Sequence, residues 1–172
     1  MIPRIKRILY TTDLSDNSAY VFRYAINSAK KHDASIIILH VLEPLSATTN
    51  AIVDPYLTEE QEKKISKEKI AYVRDLIQKR LKLFCEKELN NDPDSVDRVE
   101  SIELSEGFPA EIILRKADEF NCDAIVLGTH GKGFIRNTFL GSTSKRVLRR
   151  TRKPVFIIPL PKGEIDIVSH DD

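Results

Sequence analysis

Short apolar runs alternate along this chain with longer segments whose apolar residues recur on a helical period. Five runs read as strands: Ile5 to Tyr10, Ser35 to Leu42, Val96 to Leu104, Ala124 to Leu127 and Val155 to Leu160. Three contain continuous stretches: Ile36-Ile37-Ile38-Leu39, Ala124-Ile125-Val126-Leu127 and Val155-Phe156-Ile157-Ile158. That pattern marks strands covered on both faces of a parallel sheet. In Val96 to Leu104 charged residues separate the apolar positions, and only Ile102 to Leu104 alternates cleanly. This strand is expected to be half exposed and near an edge. Prolines bracket the last run at Pro154, Pro159 and Pro161, and proline cannot donate within a central ladder, so this run also reads as an edge.

Helical segments fall between the strands. Ser15 is placed to cap a first helix carrying Phe22, Ala25, Ile26 and Ala29 at i, i+3, i+4, i+7 spacing. Thr58 with Gln61 has the capping-box pattern, and Glu59, Glu60 and Glu62 suit the positive end of a helix dipole. The long helix that follows carries a stripe at Ile70, Val73, Ile77, Leu81 and Phe84 and should end near Asn90-Asn91-Asp92-Pro93. Pro109 fits the first turn of a third helix bearing Ile113, Ala117 and Phe120. A fourth runs from about Ser142 to Arg150 and must stop before Pro154. The β-α-β-α-β-α-β-α-β order implies right-handed crossovers and a parallel sheet between helical layers.

Composition narrows the class. A chain of 172 residues, 41% hydrophobic and 31% charged, reads as one α/β domain, residues 1–161. Residues 43–57 read as a surface loop and 162–172 as a polar, acidic tail. The net charge of +1 gives no global case for nucleic acid or a membrane surface as partner. Apolar stretches are far below spanning length and the start, Met1-Ile2-Pro3-Arg4, shows no signal-peptide pattern, so a cytoplasmic location is expected. Cys85 and Cys122 read as reduced core thiols. Lys145, Arg146, Arg149, Arg150, Arg152 and Lys153 place six basic residues in nine positions. A helix end favours cations, Val147 and Leu148 read as the buried face, and no nucleic-acid module accompanies the cluster; a solvated face is expected.

The chemistry concentrates between Gly128 and Thr143. An apolar run ends in Gly128-Thr129-His130-Gly131-Lys132-Gly133, and Gly141-Ser142-Thr143 opens the basic helix. Glycines let a backbone turn and approach a ligand closely, and the free amides of a helix start attract anions. A phosphate-binding loop of the Gly-Lys-Ser/Thr type fails because Phe134 stands where the lysine belongs. A dinucleotide fingerprint beginning at Gly131 fails at Arg136, where glycine or alanine is needed.

What remains, Gly128-x2-Gly131-x9-Gly141-Ser142, resembles the ATP-binding signature of the universal stress protein family. Ile8 to Ser15, Leu39-His40-Val41 and Lys153-Pro154-Val155 extend the resemblance over nearly the whole chain. It implies a doubly wound, five-stranded parallel sheet of order 3-2-1-4-5 with helices on both faces, like that of the adenine nucleotide alpha hydrolases. It also implies ATP as ligand, with Mg²⁺ or Mn²⁺ held mainly by the phosphates, near Asp13. By matching position, Thr11, Thr12 and Asp13 would lie at the adenosine and phosphate entrance, and Val41 would meet the adenine. Leu127, Gly128, His130 and Gly131 would line the ribose and α-phosphate, while Gly141, Ser142 and Thr143 would hold the outer phosphates. Lys132 and Gly133 complete the loop, Lys132 either pairing with phosphate or solvated. Thr11 replaces a proline common in the family, which alters loop stiffness. Family members commonly form homodimers through the last strand, here Val155 to Leu160.

Each assignment has a plainer competitor. Gly128 and Gly131 are also ordinary turn glycines, Asp13 is also a helix cap, and His130 reads as a positioned loop residue more readily than as an acid–base group. His40 reads as structural. The leading expectation is an ATP-binding stress-response or signalling module whose nucleotide orders the loop from Gly131 to Leu140. The alternatives are a slow ATPase or phosphotransferase, for which Asp13, His130 and Lys132 are the only candidates with Ser142 or Thr143 as acceptor, and a nucleotide-independent scaffold.

Overall fold

The computed structural model describes residues 2–44, 58–90, 92–129 and 140–159; most of the expected loop, the segment 130–139 and the acidic tail lie outside the described residues. Strands β1 (Arg7–Thr12), β2 (Ser35–Leu42), β3 (Val99–Glu106), β4 (Ala124–Gly128) and β5 (Val155–Ile158) form one sheet. Its order is β3-β2-β1-β4-β5, and every neighbouring pair is parallel. Helices α1 (Ser18–His32), α2 (Glu59–Leu89), α3 (Pro109–Glu119) and α4 (Ser142–Arg150) make the crossovers. The expected doubly wound architecture is present.

The period of two along the strands divides the core. Ile8, Tyr10, Ile36, Ile38 and Val126 face α1 and the end of α2, meeting Phe22, Ala25, Leu81 and Cys85. Leu9, Ile37, Leu39, Ile125 and Leu127 face the other way, onto Ile112, Ile113 and Ala117 of α3 and Val147 of α4. Central strands carry apolar residues at every position because both faces are covered. Cys85 and Cys122 are buried free thiols in opposite layers.

Four local features differ from the sequence expectation. Helix α1 starts at Ser18, not just after Ser15, and its N-cap is Asn17. The Asp13 carboxylate takes the Ser15 amide at 3.0 Å and Leu14 turns through φ 59, so the chain spends a further turn before the helix begins. Residues Pro93–Arg98 form a 3₁₀ turn, and β3 begins only at Val99. There Pro93 fixes the turn and Ser95 Oγ donates to Asp92 at 2.8 Å, local bonds that outcompete extension. Strand β5 is the edge its prolines predict, but it is partly exposed along its whole length, where its continuous apolar run predicted cover on both faces. On α4 only Val147 of the expected pair is buried; Leu148 is 41% exposed.

Helix α2 is uneven. The capping box is present: Gln61 N donates to Thr58 Oγ1 and Thr58 N to Gln61 Oε1. At about 1.5 Å per residue its 31 residues span about 46 Å. Among its described side chains, those buried in the core are Leu81, Cys85 and Leu89, all in the last third, with Ile77 and Phe84 packed against them; Ile70 and Leu76 are exposed. Despite this length, no helix among the described residues is long and apolar enough to cross a membrane.

Candidate functional site

In a doubly wound sheet, ligands sit beyond the carboxyl ends of the strands where the order reverses. Here β1 and β4 are neighbours, while α1 leaves β1 for one face and α4 packs against the other. Thr12 closes β1 and Asp13 follows it, Val41 is next to last on β2, Gly128 closes β4, and α4 opens at Ser142. Sequence distances exceeding a hundred residues are closed here by the parallel register that sets Tyr10 beside Val126.

The turn after β1 is held by a dense bond set. Leu14 N donates to Thr12 Oγ1 at 3.1 Å, and Thr12 Oγ1 donates to Ser18 Oγ at 3.0 Å. The Asp13 carboxylate accepts from Ser15 N at 3.0 Å and from Ser18 Oγ at 3.3 Å. Tyr10 anchors the same helix start, its hydroxyl donating to Ser18 O at 2.8 Å, and burial first of all pushes the phenol well above its ordinary value. From the neighbouring strand, His40 Nδ1 lies 2.7 Å from the Thr12 carbonyl. A carbonyl only accepts, so Nδ1 carries the proton.

The β4–α4 side is tied in the same way. Gly141 N donates to Thr129 O at 2.7 Å, Thr129 N to Ile158 O at 3.0 Å, and Ser144 Oγ to Gly128 O at 2.9 Å. These bonds pin the first turn of α4 to the end of β4. The bond from Lys145 N to Gly141 O opens the helix, so the amides of Ser142 and Thr143 precede its first intrahelical donor. No acidic residue occupies that turn, and Arg149 and Arg150 are in the last one.

The expected site residues therefore divide by role. Thr11, Asp13, Val41, Gly128 and Thr143 are partly exposed and Ser142 is exposed, each near the carboxyl end of a strand or at the start of α4. Leu127 is 4% exposed and faces the α3–α4 layer, so its side chain is core and only its backbone reaches the crevice. The Thr12 side chain is committed to the turn, and the Gly141 amide to Thr129. His130, Gly131, Lys132 and Gly133 lie outside the described residues. Ser18, Thr129 and Ser144 carry no distinguishing signal in the sequence: a small hydroxyl residue near a helix start or after a strand is too common to single them out.

Outside this crevice, the basic cluster is partly neutralised: Lys153 Nζ donates to Cys122 O at 2.8 Å and lies 3.3 Å from Asp118, and Arg150 lies 3.6 Å from Glu111. A second concavity lies between α1 and α2, lined by Phe22, Ile26 and Leu89. Its charges are paired, Arg23 with Glu88 at 2.9 Å and Lys30 with Asp92.

The profile of the universal stress protein family matches residues 4–159. Universal stress protein MJ0531 of Methanocaldococcus jannaschii is 29% identical over 161 residues, covering 92% of this chain and 85% of that protein. Universal stress protein MJ0577 of the same organism is 25% identical over 153 residues, covering 89% and 94%. Its solved structure superposes with a TM-score of 0.68, covering 94% of this chain and 100% of that one, at 22% identity in the structural alignment. A universal stress protein solved in complex with cAMP superposes at 0.56 with 19% identity, covering 91% and 98%. With the fold, the strand order and the matched length in agreement, this chain belongs to the universal stress protein family.

Proposed function

We propose that this protein is an ATP-binding module of the stress-response or signalling type, with the nucleotide laid across the carboxyl ends of β1, β2 and β4. What supports this reading is that Asp13, Val41 and Gly128 stand at or just past the carboxyl ends of the neighbouring strands β1, β2 and β4, with the first turn of α4 tied to the end of β4. Apolar contact at Val41 suits a purine, and the Ser142 and Thr143 amides with their hydroxyls suit outer phosphates. The glycine spacing Gly128-x2-Gly131-x9-Gly141 gives independent support. The cAMP complex of a relative with this fold is consistent with an adenine nucleotide in this crevice. Mg²⁺ or Mn²⁺ supplies charge neutralisation for the phosphates when bound; Asp13 is the carboxylate on hand to approach it. Calorimetry with ATP and Mg²⁺ should give saturable heat in the parent. Gly141→Arg, whose side chain fills the phosphate space, should abolish it. An arginine variant that binds like the parent overturns this site.

The exposed length of β5 favours a homodimer through antiparallel pairing of this edge. Val155, Phe156, Ile157 and Ile158 are all partly exposed and close the sheet on that side. An uncovered apolar edge is a template for another strand, and self-pairing gives a closed two-fold assembly. A monomer mass at micromolar concentration would remove the dimer.

A further inference from the structure

His40 lies at the end of β2, buried at 6% exposure, with Thr12 of β1 as its register partner. Its Nδ1–H donates to the Thr12 carbonyl at 2.7 Å across 28 residues of sequence. The residue that follows each, Asp13 after Thr12 and Val41 after His40, is a candidate ligand contact. Immediately beyond, Leu14 is held at φ 59, where a residue with a branched side chain is strained. Such a conformation persists only where its surroundings over-determine it. The bonds from Thr12, Asp13 and Ser18 that shape the turn are local, made within residues 12–18. The histidine bond ties this turn to the neighbouring strand and so fixes where it stands against β2.

We propose that His40 is a positioning residue for the nucleotide crevice, its Nδ1–H fixing the Thr12 carbonyl and thereby the Asp13–Leu14 turn relative to Val41. The proposal rests on the nucleotide-binding reading above and assigns to a buried side chain the alignment of two ligand-facing strand ends. Asparagine at this position offers an amide donor near the place of Nδ1. Glutamine sets its donor too far out, and leucine has none.

The test compares ATP affinity and amide exchange at Leu14 and Ser15 in the parent, His40→Asn, His40→Gln and His40→Leu. His40→Leu is expected to bind ATP about tenfold more weakly, the scale of one lost buried hydrogen bond, with faster exchange at both amides. His40→Gln should behave like leucine and takes its place if the leucine variant does not fold. His40→Asn should recover most of the affinity and the protection. A folded leucine or glutamine variant with parental affinity and exchange overturns the proposal, as does an asparagine variant no better than either. If the parent itself binds no ATP, the functional reading fails separately. The exchange pattern alone then decides the clamp: protection lost with leucine and regained with asparagine sustains it, and unchanged exchange ends it.

Discussion

Gly107 links β3 to α3 at φ 140, and a Cβ there would stand 2.8 Å from Ile112 Cδ1. Both the backbone and the space demand glycine, and Gly107 N donates to Leu42 O at 3.0 Å, so any shift is passed to the end of β2. Gly107→Ala should cost about 1–3 kcal/mol in urea unfolding, because strain and crowding act together. The buried thiols give a second prediction. Burial lifts Cys85 to about 12 and Cys122 to about 11, against an ordinary value of 9.0. A raised value means the native state keeps its proton while the unfolded chain releases it. This contribution is full below pH 9.0 and is lost as pH climbs through 11 and 12. Stability to urea should therefore fall across that window. Replacing both cysteines by alanine should flatten the part of the decline that begins near pH 9.0. The part owed to Tyr10, whose raised phenol acts at higher pH, should remain. At this scale the sequence was a fair guide to residue type but not to commitment. Thr12 was legible as a residue of the crevice, yet the structure engages its side chain in the turn.

Helix α2 separates local from global stability within one element. Its C-terminal third supplies Leu81, fully buried, and Phe84, which meets the Phe22 ring at 5.5 Å between centroids. Leu81→Ala should cost about 2–5 kcal/mol of global stability, whereas Tyr72→Ala at a 70% exposed position should stay within about 0.5 kcal/mol. The cap at Thr58 belongs to the exposed end. Thr58→Ala should remove about 1 kcal/mol from that end, seen as faster amide exchange at Gln61 and Lys63 with an unchanged global unfolding midpoint. A shift of the whole transition would mean that the two ends unfold together. The apolar stripe from Ile70 to Phe84 predicted the helix correctly, but periodicity does not say where the sheet beneath it stops.

For the whole molecule, a ligand that binds only the folded state raises its stability by mass action, about 2.7 kcal/mol at a hundredfold excess over Kd. Thermal unfolding should therefore move upward with ATP and Mg²⁺ in the parent. Gly141→Arg should lose that shift while keeping the ligand-free midpoint, since Gly141 is partly exposed at the helix start. An arginine variant that retains the shift would put the stabilising ligand elsewhere. Ionic strength should matter little to the fold, because the ion pairs among the described residues are mostly surface pairs such as Lys79 with Asp75, and such pairs contribute little.

The alternation of elements, the parallel sheet, its covered central strands and the glycine-marked start of α4 were fixed by local chemistry. An apolar run buried on both faces, a proline at a helix start and a glycine spacing each carry their meaning within a few residues. The pairing of β1 with β4, which sets Tyr10 beside Val126, depends on contacts between distant segments. So does the reach of His40 to Thr12. Those were decided only by tertiary packing, because a hydrogen bond between residues far apart in the chain leaves no trace in the spacing of either.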